Sequence, residues 1–219
     1  MNKVIIFGLL DTAELAHFYL EHDSPYEVVG FTVSKQYMNS YSFKGLPVIP
    51  FEDLENIYPP NEFLLFAPMT ARNMNKLREK VYYDGKSKGY NFVSYVSSRA
   101  TIFNNEIGEN CFILEDNTIQ PFTKIGNNVV LWSGNHIGHH GEIKDHTFFT
   151  SHVVMSGHCI IEPNCFFGVN STIRDYSKIA KGTLLAMGAS LTKQITNEWG
   201  VYVGSPAKQK DGLISYEVY

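Results

Sequence analysis

The hydrophobic positions follow two different rhythms along the chain, and the change falls close to residue 97. In the first part, short apolar runs alternate with helical patterns. KVIIFGL, YEVVGFTVS, NEFLLFAP and NFVSYV predict strands, while DTAELAHFYLEHD and MTARNMNKLREKVYYDGKSKG predict helices. Asp11 is the predicted N-cap of the first helix, with Glu14 three residues later. This β-α-β order predicts a small parallel sheet flanked by helices.

The second part repeats every six residues. An apolar side chain stands at every sixth position from residue 107 to 191, fifteen times without a slip: Ile107, Ile113, Ile119, Ile125, Leu131, Ile137, Ile143, Phe149, Met155, Ile161, Phe167, Ile173, Ile179, Leu185 and Leu191. Four positions after most of them comes a small or compact residue. A period of six fits neither an α-helix nor alternation along one strand, so it predicts a solenoid of short strands in which both residues point inward. Glycine is predicted to ease the corners where it follows the apolar residue, at Gly108, Gly126, Gly138 and Gly168.

This repeat resembles that of the hexapeptide-repeat acyltransferases, whose fold is a left-handed parallel β-helix with three hexads per turn. The resemblance covers residues 98–192 and implies about five coils, with residues eighteen apart stacked on neighbouring coils. Cys111, Cys159 and Cys165 then occupy inward positions and are predicted to be structural. The stacked pair Asn117 and Asn135 is predicted to form an internal amide ladder.

Composition excludes several classes of protein. A net charge of −4 argues against a nucleic-acid partner, because phosphate contacts require clustered Lys and Arg. The seven-residue apolar run near the N-terminus is too short for a signal peptide or a membrane span, so no membrane insertion is predicted. Three isolated cysteines form no disulfide framework, which predicts a reducing, cytoplasmic location.

Six of the eight histidines lie between residues 131 and 159, and four of them are six residues apart: His140, His146, His152 and His158. All four follow an inward residue by three positions, which predicts that they point outward. A hydrated surface or a subunit contact is the prediction for His146 and His152. Within the solenoid no two histidines are five or thirty-six residues apart, the zinc-ligand spacings of the γ-class carbonic anhydrases of the same fold. We therefore predict no metal and no metal requirement.

His139 differs from these four because it lies at a predicted corner, with Gly157 stacked on it one coil later. An imidazole beside a backbone N–H of a small residue suits acyl transfer. The imidazole takes a proton from the attacking group, and the Gly157 N–H holds the developing oxyanion. The alternative interpretation is a solvated corner histidine without a catalytic role.

The segments NHIGHHGEI, NCFFGVNSTIRD, LLAMGASLTK and GVYVGSPAK resemble one branch of these enzymes. It includes the nucleotide-sugar N-acetyltransferases of bacillosamine synthesis and the sialic acid O-acetyltransferases. The resemblance extends over essentially the whole chain and implies that His139 is the general base, that Gly157 is the oxyanion donor and that acetyl-CoA is the donor substrate. It also implies a coenzyme A groove, lined by Gly157 together with Ala186, Gly188, Ala189, Gly204, Pro206 and Lys208. Where the bacillosamine enzymes have a Glu after the base, this chain has His140, which we include in the catalytic site.

The resemblance further implies three parts and a homotrimer. Residues 1–97 are the Rossmann-like domain that binds the nucleotide sugar, with Gly8, Leu9, Asp11 and Ser34 as predicted substrate contacts. Residues 98–192 are the β-helix, and residues 193–219 line the coenzyme A groove. The tripled-glycine dinucleotide fingerprint is absent from GLLDTAE, so dinucleotide binding is not expected.

The leading hypothesis is N-acetylation of a nucleotide-linked amino sugar by direct attack of the amine. O-acetylation of a sugar hydroxyl is the first alternative. A non-catalytic scaffold or sugar-binding protein is the second.

Overall fold

The structure is a computed structural model that describes residues 2–219. Its N-terminal elements are β1 (Asn2–Phe7), α1 (Asp11–His22), β2 (Tyr26–Val33), β3 (Ser42–Phe43), β4 (Leu46–Pro50), α2 (Leu54–Ile57), β5 (Phe63–Phe66) and α3 (Lys76–Ser87). The strands form one sheet in the order β3-β4-β2-β1-β5, parallel except for the β3–β4 hairpin. The predicted α/β sheet is confirmed, while the hairpin was not predicted. NFVSYV, predicted as a strand of this half, instead pairs through Tyr95–Val96 with the first sheet of the β-helix.

Two details of the predicted helices are wrong. Asp11 is the first residue of α1 and not its N-cap; Leu10 holds that place, and no side chain caps the helix. The second long helix begins at Lys76, seven residues later than predicted, because Asn73, Met74 and Asn75 all have left-handed backbone angles. Such angles are incompatible with a continuing right-handed helix.

The rest of the chain is built almost entirely from two-residue strands. They are β6 (Tyr95–Val96), β7 (Phe112–Ile113), β8 (Thr118–Ile119), β9 (Lys124–Ile125), β10 (Val130–Leu131), β11 (His136–Ile137), β12 (Glu142–Ile143), β13 (Phe148–Phe149), β14 (Val154–Met155), β15 (Ile160–Ile161), β16 (Phe166–Phe167), β17 (Thr172–Ile173), β18 (Lys178–Ile179), β19 (Leu184–Leu185) and β20 (Ser190–Leu191). Longer strands β21 (Gly200–Val203) and β22 (Lys208–Ile214) and the short helix α4 (Ser215–Val218) end the chain.

The two-residue strands form three parallel sheets, each built from every third strand, and β22 adds to the first sheet antiparallel to β21. Leu131 pairs with Phe149, Ile137 with Met155 and Ile143 with Ile161, so successive strands of one sheet are eighteen residues apart. The first sheet runs from β6 through β19 to β21 and β22. The predicted β-helix of three hexads per coil is therefore confirmed.

The interior of the β-helix contains the predicted residues. Every one of the fifteen apolar positions except Ile107 is at most 3% exposed. All three cysteines are fully buried free thiols, and burial raises the pKa of the Cys165 thiol to about 12. Asn117 and Asn135 are buried too, but they bond to main-chain groups of the coils and not to each other.

The corners between strands share one backbone conformation. Within the β-helix, a residue with positive φ recurs every sixth position: Asn110, Asp116, Phe122, Asn128, Gly134, His140, His146, His152, His158, Asn164, Asn170, Tyr176, Gly182 and Gly188. Asn, Asp and His are enriched at such left-handed positions, and Gly adopts them freely. The six-residue spacing of the histidines thus follows the spacing of these left-handed corner positions.

The glycines of the repeat serve a different purpose from the one predicted. Gly108, Gly126, Gly138 and Gly168 do not have positive φ. A Cβ at Gly138 would lie 2.5 Å from the carbonyl carbon of Ser156 and 2.6 Å from the nitrogen of Gly157. These glycines allow one coil to approach the next.

The outer face of the first sheet is apolar, and the N-terminal part covers it. Phe112, Val130 and Phe148 pack in one cluster with Ala16 and Leu20 of α1. Trp132 is half-buried against the same cluster. Phe122, in contrast, is 72% exposed.

One corner of the β-helix lies beneath α3, and we call it the buried corner: Asn110, Asn128, His146 and Asn164. An amide ladder exists here, not at Asn117 and Asn135. The Asn110 side chain donates to Asn128 Oδ1 at 2.8 Å, and Asn128 Nδ2 lies 2.8 Å from His146 Nδ1. The prediction of an outward, hydrated His146 is wrong, because this side chain is 2% exposed.

A fully buried arginine of α3 holds this corner. Arg78 donates to the main-chain oxygen and to Oδ1 of Asn128, to the main-chain oxygen of His146 and to Asn75 Oδ1. Burial lowers its pKa to about 9, so it stays charged at neutral pH. Burial, with the Arg78 charge adding to it, lowers the pKa of His146 to about 4. His146 is therefore a neutral ring in this network.

Among residues 2–219, no helix has the length and apolar character needed to cross a membrane.

Candidate active site

The corner between β11 and β12 carries His139, and its backbone explains how the ring is held. The next residue, His140, has φ of 54°, which turns the chain between the two strands. The His139 N–H donates to Gln120 Oε1 at 3.1 Å on the preceding coil. His139 is solvent-exposed, so its ring is accessible to a substrate.

Gly157 lies against the His139 ring, as the eighteen-residue stacking predicted. A Cβ at Gly157 would be 3.0 Å from Cε1 and 3.1 Å from Nε2 of His139, closer than most real Cβ contacts. Within residues 2–219, the Gly157 N–H donates no hydrogen bond. A glycine whose N–H has no partner among the described residues therefore packs against an accessible imidazole, a combination that can serve acyl transfer.

His140 contacts His139 directly. Their Nδ1 atoms are 3.0 Å apart, the distance of an N–H···N hydrogen bond. One nitrogen must carry the hydrogen and the other must accept it. If His139 is the donor, its Nε2 has a free lone pair. The sequence predicted that His140 points outward, and this contact places its ring beside that of His139.

We call the corner that carries His139 and His140 the exposed corner. It continues as a column of rings on four successive coils: Phe122, His140, His158 and Tyr176. His140 and His158 have ring centroids 5.1 Å apart and are within 15° of parallel. His158 and Tyr176 are stacked at 4.5 Å and 3°. Phe122 and Tyr176, at the two ends, are 72% and 65% exposed. We call these four residues the aromatic column.

Three imidazoles meet at this corner. One ring nitrogen from each of His139, His140 and His158 lies within 4.8 Å of the others. The spacing argument missed this cluster because it tested separations of five and thirty-six. The informative signal was an adjacent pair plus a third histidine eighteen residues after its second member.

The predicted coenzyme A segments come together at the far end of the β-helix. The Ser190 N–H donates to the Gly204 oxygen at 3.0 Å, and the Ala207 N–H donates to the Ser190 oxygen at 2.8 Å. Gly188 and Gly204 have positive φ and are exposed, as are Pro206 and Lys208. Ala186 is half-buried, and Ala189 fills an inward position with 1% exposure. None of these residues contacts His139 in the isolated chain.

The predicted substrate contacts of the N-terminal sheet share one edge. β1 and β2 are adjacent and parallel, with Phe7 opposite Thr32, so Gly8 and Ser34 follow at the same end. Gly8 has φ of 123° and donates to the Thr32 oxygen at 2.8 Å. Leu9 is half-buried, and Asp11 is exposed at the start of α1. The carboxyl edge of a parallel sheet is where α/β proteins bind ligands.

Comparison with known proteins agrees with this architecture. A family model described as bacterial transferase hexapeptide, six repeats, matches residues 106–139. No curated protein matches the chain. The acetyltransferase domain of PglB from Neisseria gonorrhoeae FA1090 matches with a TM-score of 0.82 at 18% identity, covering 96% of this chain and 100% of that one.

Two further solved structures are similar. A variant of perosamine N-acetyltransferase from Caulobacter crescentus, in complex with CoA and GDP-perosamine, has a TM-score of 0.82 at 17% identity, covering 96% of this chain and 97% of that one. WeeI from Acinetobacter baumannii AYE has a TM-score of 0.80 at 20% identity, covering 96% and 100%. The fold is thus an α/β domain followed by the left-handed β-helix of hexapeptide-repeat transferases, as the sequence resemblance implied.

Proposed function

We propose that this protein is an acetyl-CoA-dependent N-acetyltransferase that acts on a nucleotide-linked amino sugar. One observation carries the proposal: the accessible His139 ring packs against Gly157, whose N–H has no partner within residues 2–219. The names of similar structures support the choice of substrates. PglB has been solved with acetyl coenzyme A, and the Caulobacter crescentus enzyme with CoA and GDP-perosamine.

His139 acts as the general base through Nε2. The sugar amine attacks the thioester carbonyl carbon, and Nε2 takes the proton that the amine loses. The Gly157 N–H stabilises the oxyanion of the tetrahedral intermediate. Collapse of the intermediate breaks the carbon–sulfur bond and gives the amide and the coenzyme A thiolate, which takes a proton. No protein nucleophile is needed, and the three buried cysteines are inaccessible to substrate.

His140 replaces the carboxylate found in related enzymes. A neutral His140 accepts the His139 Nδ1 hydrogen across the 3.0 Å contact, which fixes the tautomer with a free Nε2 lone pair. A neutral acceptor stabilises the imidazolium less than a carboxylate does. The His139–His140 pair therefore suits an amine as the acetyl acceptor, because an amine is strongly nucleophilic once it has lost its proton.

The two ends of the molecule hold the two substrates. The carboxyl edge with Gly8, Leu9, Asp11 and Ser34 binds the nucleotide. The segments with Gly157, Ala186, Gly188, Ala189, Gly204, Pro206 and Lys208 bind acetyl-CoA. We include a homotrimer in the proposal, because the coenzyme A segments at residues 186–189 and 204–208 lie more than two coils beyond His139 in the same chain and Phe122 is left exposed. Sedimentation that finds a stable, active monomer contradicts the trimer.

The decisive experiment is a substrate screen. Nucleotide-linked amino sugars are offered with acetyl-CoA, and free coenzyme A thiol is measured. Each substrate has a matched control in which a hydroxyl replaces the amine. Thiol release with amino sugars alone supports N-acetylation, and release with the hydroxyl sugars supports O-acetylation. No release with any sugar favours the non-catalytic scaffold.

A further inference from the structure

Acetyl transfer as proposed uses His139 and His140 but gives no role to His158, the third imidazole of the exposed corner. We propose that His139, His140 and His158 bind one divalent transition-metal ion, such as zinc, and that the bound ion inhibits the enzyme. The binding half of the proposal stands on the side chains alone. The inhibition half rests on the proposed role of His139 as the base.

The distances already approach those of a metal site. Zn–N bonds of 2.0–2.1 Å in a tetrahedral site place ligand nitrogens about 3.3 Å apart. His139 Nδ1 and His140 Nδ1 are 3.0 Å apart, and all three nitrogens lie within 4.8 Å. A modest opening of the first pair admits the ion, and His158 completes the set by turning about its side-chain bonds.

The His140–His158 stack must open for this to happen. The two rings are within 15° of parallel, whereas a metal lies in the plane of each ring that binds it. His140 is exposed and His158 is half-buried, so neither ring is locked by the core. The coordinate bonds to the ion offset the loss of this stacking contact.

The chemistry of the three ligands selects the class of ion. Neutral imidazole suits zinc, copper and nickel, whereas magnesium and calcium prefer oxygen ligands. Three protein ligands leave a fourth position for water. The site thus resembles an open zinc site in ligand number, although acetyl transfer by this route needs no metal.

Occupancy removes the base through its tautomer. In the metal-free site the His139 hydrogen is on Nδ1, and Nε2 has the free lone pair. A metal bound at Nδ1 needs the lone pair of Nδ1 itself, so the hydrogen moves from Nδ1 to Nε2. Nε2 then has no lone pair with which to accept the proton of the amine, so transfer stops.

Cobalt and zinc titrations of the purified full chain test binding without any assay of turnover. We expect one Co²⁺ per chain with visible absorption bands of a four-coordinate ion, displaced by Zn²⁺, and no competition from Mg²⁺. His158→Asn removes one ligand and should weaken zinc binding at least tenfold. Asn suits the φ of 59° at this position.

His152→Asn is the matched control. It also replaces a corner histidine, with φ of 60°, but His152 is outside the cluster. Its zinc affinity should equal that of the wild type. Equal zinc affinity of the two variants, or a stoichiometry other than one per chain, overturns the proposed site.

The inhibition half is measured on each variant relative to its own metal-free rate. We expect zinc to inhibit the wild type and His152→Asn at the concentrations that fill the site, with recovery on chelation and a tenfold weaker effect on His158→Asn. Full turnover with the site occupied overturns inhibition. If no sugar is acetylated, the proposed function fails, while the cobalt spectrum still decides the binding half.

Discussion

Two corners of the same β-helix place histidine at the same left-handed backbone position with opposite results. His146 belongs to the buried corner, where α3 covers it and Arg78, Asn128 and Tyr83 surround it. His140 and His158 belong to the exposed corner, beside His139. Position in the repeat fixes only the backbone. What covers the corner decides whether an imidazole becomes part of a structural network or remains available to a ligand.

The variant with the largest expected effect tests whether the exposed corner is catalytic or only a solvated surface. His139→Asn keeps the size and some hydrogen bonding but removes the base. We expect turnover to fall about 10²–10⁴-fold with little change in KM, because general-base catalysis contributes that much.

The matched control is His152→Asn, at the third corner of the coil. This variant should keep the wild-type turnover rate. Near-normal turnover of His139→Asn together with loss of turnover in His140→Ala would move the base to the neighbour. The role of Gly157 would then have to be abandoned as well.

The next effect belongs to the buried corner. Arg78→Ala removes the donor from the main-chain oxygens of Asn128 and His146 and leaves a cavity. We expect the free energy of unfolding to fall by about 3–5 kcal/mol in urea titration, because buried acceptors lose their partners. Lys80→Ala, on the exposed side of α3, is the control and should change stability by less than about 0.5 kcal/mol.

A smaller effect appears as a pH dependence. The folded-state pKa of His146 is lowered to about 4, below its ordinary value near 6.5, so the unfolded chain binds the proton more tightly. The stability that the neutral ring contributes is therefore complete above pH 6.5 and is lost as pH falls toward 4. Protonation would also set an Nδ1–H against the Asn128 amide, which already donates to that atom.

His146→Asn removes this titration and suits the φ of 61°. Urea titrations between pH 7 and 4 should show a flatter acid dependence than the wild type, by on the order of 2–3 kcal/mol over that range. His152→Asn, which is exposed, should retain the wild-type slope. An unchanged slope in His146→Asn would mean that another group causes the acid sensitivity.

The smallest effect concerns the interior that both corners share. Cys159→Ala shortens an inward side chain and should lower stability by about 1 kcal/mol without a change in turnover. Thermal unfolding and thiol release measured on the same preparation check both statements. Lost turnover at an unchanged melting temperature would contradict a purely structural thiol.

The sequence predicted the parts of the molecule that are governed by local repetition. Ile137 and Met155 follow the period of six, and the pairing of their strands follows from it. The stacking of Gly157 on His139 is a consequence of the same register. These features depend on spacing along the chain, so they could be recognised without the structure.

Features that depend on contact between distant segments could not be recognised. Nothing near His146 in the sequence shows that Arg78, sixty-eight residues earlier, will cover it. The amide ladder was predicted at Asn117 and Asn135 because spacing alone had to indicate both the orientation of the side chains and their hydrogen-bond partners. Likewise, the 3.0 Å contact of His139 with His140 depends on side-chain torsions that the repeat does not specify.

The left-handed corner position also limits how this surface can change over evolution or in the laboratory. Each coil has three such positions, and the residues that fit them most easily are Gly, Asn, Asp and His. His is the only one of these four that gains or loses a proton near neutral pH. Random substitution at the corner positions is therefore restricted to a few side-chain chemistries. If a hexad that contains His were duplicated repeatedly, imidazoles would be stacked one coil apart. This arrangement would exist before selection acted on any site.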